Sequence, residues 1–242
     1  NHAMFSVGYA VAALASGYAR ELYVEPGIAF SYAAVIVLVL SIFLYMPVWD
    51  NSSSEPERAG YPFWPIVICG LIVLVAFMIE ATVEIWSALH IERTLHGRAA
   101  EGALGPAVLG ITMAVGRFSG QAFSQMFSDT KVIIFATLVA TSGAVVAALA
   151  TAPSWAYFGF GILGLGVSVI GPLGLALVGK SVDNHLRTEA ISRVALMGFS
   201  GFFLAPTLMG LVSEFHGLRV AFLCAAGLTL TVIPLTLLLR RF

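Results

Sequence analysis

The sequence predicts an all-α polytopic membrane protein, and three observations carry that prediction. Of its 242 residues, 59% are hydrophobic and 10% are charged, against about 25% charged in soluble domains. Most of such a surface has lipid as its solvent. Eight apolar runs reach the roughly 18 to 25 residues of a bilayer-spanning helix. There is also a faint internal repeat. Gly8, Gly17 and Glu21 recur at the same spacing in Gly201, Gly210 and Glu214. Phe5-Ser6 and Phe199-Ser200 precede the copies, and Ala29-Phe30 and Ala221-Phe222 close them, with one-residue slips at each end. Weak symmetry of this kind within a polytopic chain is what duplicated helix bundles leave behind.

The runs fall near residues 2–19, 29–47, 63–89, 103–126, 132–151, 155–178, 190–212 and 218–239. Turn-forming and charged residues separate them, at 20–27, 51–62, 92–101 and 181–189. The most polar connector, Asp50 to Arg58, reads as a flexible linker. Orientation follows from the lysines and arginines of short loops. With that linker in the cytoplasm, Arg58, Arg117, Lys131, Lys180, Arg187, Arg193, Arg240 and Arg241 share its side. Arg20, Arg93, Arg98 and Arg219 lie opposite, so the linker and the C-terminus are expected to be cytoplasmic. The chain opens at Asn1 inside an apolar run, with no charged region of a signal peptide before it. It is expected to be a fragment of a longer chain.

A net charge of −1 gives no reason to expect a nucleic acid partner. Cys69 and Cys224 sit in apolar runs without metal-ligand spacing and read as small core residues. No metal site, cofactor or nucleotide loop is expected. The glycines at 159–161 and 164–166 lie within a span and follow no strand. Five scattered histidines give no convergent site for an intramembrane transferase, so no enzyme is expected.

The polar residues inside the spans are the candidates for chemistry. Glu80 and Glu84 stand four residues apart in the third run, on one helix face. A carboxylate at the bilayer centre costs at least ~2.5 kcal/mol, so it should face a partner or a wet cavity. Burial and a like-charged neighbour favour a proton on one of the two, as a proton-coupling group requires. Trp86 is either an interfacial anchor or a stacking surface for a sugar-like ring. His90 at the outer end of that run reads as interfacial. His2, with Ser6 one turn on, could relay protons or hydrogen-bond a solute. Arg117, in Gly116-Arg117-Phe118-Ser119-Gly120, could snorkel to the interface or pair with an acid on another helix. Gly171, Pro172 and Pro206 interrupt spans. Such residues serve close packing or, through a lost backbone bond, a hinge.

These segments resemble the Major Facilitator Superfamily, twelve-helix permeases made of two six-helix lobes, and within it the bacterial sugar and fucose-permease-like branch. The carrying segments are His2 to Gly8, Glu84 to Ser87, Gly110 to Gly120, Gly164 through Pro172, and Ala205 to Gly210. The family's cytoplasmic loop pattern is degenerate here, with Gln121 and Gln125 where acids are common. The resemblance implies family helices five to twelve. Residues 1–47 would close the N-terminal lobe, 48–62 would link the lobes, and 63–242 would form a complete C-terminal lobe. The missing N-terminal helices would be its partner. The implied activity is proton-coupled secondary transport of a small polar solute such as a sugar across the inner (plasma) membrane, with Glu80, Glu84, Trp86, His2 and Ser6 at the solute and proton site. Arg117, Gly120, Gly171, Pro172 and Pro206 would serve gating. Efflux of drugs or metabolites, or a non-transporting sensor or scaffold, are the alternatives.

Overall fold

The computed structural model describes residues 2–43 and 63–240. The 48–62 linker therefore lies outside the described residues. All elements among those described are helical: α1 (His2–Glu21), α2 (Pro26–Phe43), α3 (Phe63–Leu89), α4 (Ala99–Met126), α5 (Asp129–Leu149), α6 (Pro153–Lys180), α7 (Arg187–Leu230) and α8 (Val232–Leu239). This is the helical membrane bundle that the apolar runs predict, partitioned differently. Among the described residues five segments, where eight runs were expected, are long and apolar enough to cross a bilayer: 63–94, 99–120, 129–149, 153–180 and 184–239. The expected first run is diluted by small and polar residues in α1, and the apolar stretch of α2 is described only over Pro26–Ser41. The last two expected runs lie within the one segment 184–239 as two helices, and Gly217 makes the break between them. Its φ of 80° and ψ of 164° interrupt α7, a conformation that costs glycine little and other residues more.

α3 forms the axis of the bundle. Its side chains from Pro65 to Val83 are mostly buried, as expected of a helix that is apolar on all sides. It packs against α4, α6, α7 and α8. Missing side chains allow several of the closest approaches. A Cβ on Gly198 would collide with Val73, and one on Gly174 would come within 2.7 Å of that same residue. At the α5–α6 contact the obstacle is main chain. A Cβ on Gly143, Gly159 or Gly166 would run into the backbone of Leu163, Ala147 or Ala140, respectively. In a lipid solvent such close backbone approach supplies the packing energy that the hydrophobic effect does not.

α1 lies along α4 by the same device. Gly17 faces Ala103, and Gly110 admits Ala10 and the Ser6 carbonyl. Its repeat counterpart in α7 uses another neighbour, since Gly201 and Gly210 face Leu74, Met78 and Trp86 of α3. α2 exposes nearly all its described side chains. Ion pairs fasten both ends of the bundle. Arg20 of α1 meets Glu92 at 2.9 Å, and Lys180 of α6 meets Asp129 of α5 at 2.6 Å.

His90 is buried within the bundle. A π turn, His90–Thr94, follows α3 and turns this ring fully inward against Phe160 and Phe222. Its Nε2 donates to the Ala147 carbonyl at 3.1 Å, tying α3 to α5.

The packing predicts opposite effects for two glycine substitutions. Gly166→Ala should destabilise the protein by about 1–3 kcal/mol, the usual cost of overpacking, because rigid backbone blocks the new methyl. Gly227, with nothing within 4 Å of its missing Cβ, should tolerate alanine and gain up to about 1 kcal/mol of helix propensity. Detergent-phase unfolding of both variants checks the contrast.

Candidate functional site

Three helices converge on one buried charge. Arg117 lies well inside α4, not at its end, because α4 continues to Met126. Gly116 and Gly120 on an adjoining face of α4 let α6 come close. A Cβ on either would strike Ser168 or Val169. Gly110, two turns before Arg117, does the same for α1. The arginine is thus held at the junction of α1, α3 and α4.

Arg117 Nη2 donates to both oxygens of Glu80 on α3, at 3.1 and 3.3 Å. Nη1 donates to the Ser6 hydroxyl of α1. The side chains of Arg117 and Glu80 are 7% and 5% exposed. Charge-assisted bonds of this kind are roughly twice as strong as neutral ones. Ser6 is itself 2% exposed.

Glu84 stands one turn beyond Glu80 and differs from it in environment. Its carboxylate has no hydrogen-bond partner among the described residues and is only partly buried. It lies within electrostatic range of both Glu80 and Arg117. Its main-chain carbonyl accepts from the Tyr9 hydroxyl of α1 at 3.3 Å. Tyr9 stacks on Phe5 at 6.4 Å and feels the charge of both glutamates. Tyr9 did not stand out in the sequence. Its one signal was position, three residues after Ser6 and so on the same helix face.

The other candidates lie elsewhere. Trp86 packs against the main core and reaches Gly210 of α7, and its indole N–H finds no acceptor among the described residues. Gly171 allows α6 to approach Phe77, one turn before Glu80. Pro172 and Pro206 lie within α6 and α7. The side chains of His2, Gln121 and Gln125 are outside the described residues. Among the described residues no group of His, Cys, Asp or Glu is placed to hold a metal ion.

These features define a multi-pass helical membrane bundle with a paired charge buried at a helix junction. Comparison with known proteins gives the family. The sequence pattern of the Major Facilitator Superfamily matches residues 66–241, and the chain belongs to that superfamily of transporters. It is 28% identical over 238 residues to an uncharacterized MFS-type transporter of Yersinia pestis, covering 96% of this chain and 60% of that protein. The membrane protein MosC of Rhizobium meliloti is 24% identical over 196 residues, or 79% of this chain and 48% of that one. The solved structure of a bacterial homolog to the human lysosomal transporter Spinster, inward-facing and unoccupied, superposes with a TM-score of 0.62. It is 14% identical, over 91% of this chain and 58% of that one, and shares the fold. The chain thus spans about half to 60% of the length of these relatives.

The ion pair yields a stability prediction. Arg117→Ala strands a buried carboxylate and should cost about 3–5 kcal/mol, whereas replacing both partners together, Glu80→Leu with Arg117→Met, should cost much less. Equal losses in chemical unfolding of the two variants would show that the charges are not coupled.

Proposed function

We propose that this chain forms the greater part of a secondary active transporter, proton-coupled, that moves a small polar solute such as a sugar by alternating access. Residues 1–47 belong to one lobe and 63–242 to the other, joined through a cytoplasmic linker at 48–62, with a cytoplasmic C-terminus in a cell's inner membrane. Eight crossings follow from that division, the last two meeting at Gly217.

The observation that carries the reading is the tie from Arg117 to both Glu80 and Ser6. It crosses from the second lobe to α1 of the first. Rocking of two lobes about a midplane site must stretch or break it. A proton on Glu80 cancels the charge that holds Arg117 and so loosens α1, α3 and α4 together. Protonation and lobe movement are coupled through one bond.

Glu84 supports a second reading, efflux of an organic cation. A partly buried carboxylate without a hydrogen-bond partner, beside the stacked Tyr9 and Phe5 rings, suits an ammonium group attached to an apolar body.

Proton coupling through Glu80 predicts that Glu80→Gln, in the protein carrying all its helices, abolishes pH-dependent transport while folding persists. Proton dependence that survives this change removes Glu80 from the coupling step. The cation reading predicts that Glu84→Gln weakens binding of organic cations and spares neutral sugars, as measured by competitive uptake in proteoliposomes.

A further inference from the structure

Away from the charge cluster, the bundle surface carries a groove of about 560 Å³. α4 and α5 each pack tightly on α6 but touch one another little. Leu165, Gly166 and Val169 of α6 are left as a floor between them. Among the described residues the lining is apolar except for Ser119 on the α4 wall and Lys131 at the α5 end. Around it, Val115, Phe118, Phe135 and Leu138 are exposed, so the groove opens where the protein meets hydrocarbon. The volume falls within the range of about 300–1,000 Å³ typical of small-molecule sites.

We infer that this groove binds a phospholipid with an anionic headgroup, one acyl chain lying on the α6 floor and the phosphate at Lys131. Length fixes the class of occupant. From Lys131 to Val139 the α5 wall rises by about 12 Å at 1.5 Å per residue. That is close to half of the roughly 30 Å hydrocarbon core, so the groove runs from one membrane surface toward the midplane, the depth of a single leaflet. Charge fixes the headgroup. The acid nearest Lys131 in sequence, Asp129, is engaged by Lys180 at 2.6 Å, and the Lys131 ammonium has no ion-pair partner among the described residues. A cation at the polar end of an apolar channel complements a lipid phosphate that bears net charge. In the proposed orientation this end faces the cytoplasm, where anionic lipids concentrate.

The site is separate from the coupling cluster, yet adjoins it through α4. Gly116 and Gly120 line the groove and flank Arg117. A bound chain would brace α4 against α5 and α6 without touching the Glu80 pair.

Native mass spectrometry of the protein with all its helices, titrated with equal amounts of phosphatidylglycerol and phosphatidylcholine, tests the inference. Phosphatidylglycerol should be retained about fivefold more strongly, the preference one lysine near an anionic group confers. Lys131→Gln should bring that ratio close to one. Ser119→Trp, an exposed position on the groove wall, should reduce retention of both lipids while leaving the melting temperature in lipid-free detergent unchanged. Equal retention of the two lipids by the unaltered protein would overturn the inference. So would a preference that persists in Lys131→Gln, or lipid retention unaffected by Ser119→Trp.

Discussion

The buried bond between Arg117 and Glu80 is the constraint on which the other features depend. A guanidinium and a carboxylate that are 7% and 5% exposed are tolerable inside a bilayer only as partners. That requirement fixes the rotation of α3 and α4, since each must turn one residue toward the other. It also recruits α1, whose Ser6 accepts a second bond from the same guanidinium. Remove either charge and the junction of three helices loses its reason for this geometry.

Packing around the pair is arranged so that it can form. Gly116 and Gly120 admit α6, Gly110 admits α1, and Gly171 admits Phe77 one turn from Glu80. These small residues set the distances, and the ion pair sets the register. α5 and α6 are joined differently, by backbone contact at Gly143, Gly159 and Gly166, with no charge involved. The bundle therefore combines a polar junction of three helices, held by charge, with an apolar unit held by backbone contact.

The helices were legible in the sequence because lipid imposes a length and a polarity that short-range reading detects. Their ends were less so. The sequence treats the last two runs as separate spans, and only the backbone shows that Gly217 alone divides them. Glu80 and Glu84 stood out because a charge within an apolar run is costly. Arg117 was visible too, but its partner lies 37 positions away, a tertiary fact without local trace. The burial of His90 was hidden for a related reason, since a histidine at the end of a run gives no sign that a π turn after α3 directs it inward. Tyr9 was missed because a tyrosine among aromatic residues carries no signal until a neighbouring helix supplies its acceptor.

The ionised state of the pair is the central claim, and infrared difference spectroscopy addresses it directly. Spectra of the protein at neutral pH would be compared with those of its Glu80→Gln variant. The account predicts that the substitution removes carboxylate bands and leaves the region of protonated carboxyls unchanged. Loss of a protonated carboxyl band instead would mean that Glu80 is neutral beside Arg117, and that no ion pair holds α1, α3 and α4 together.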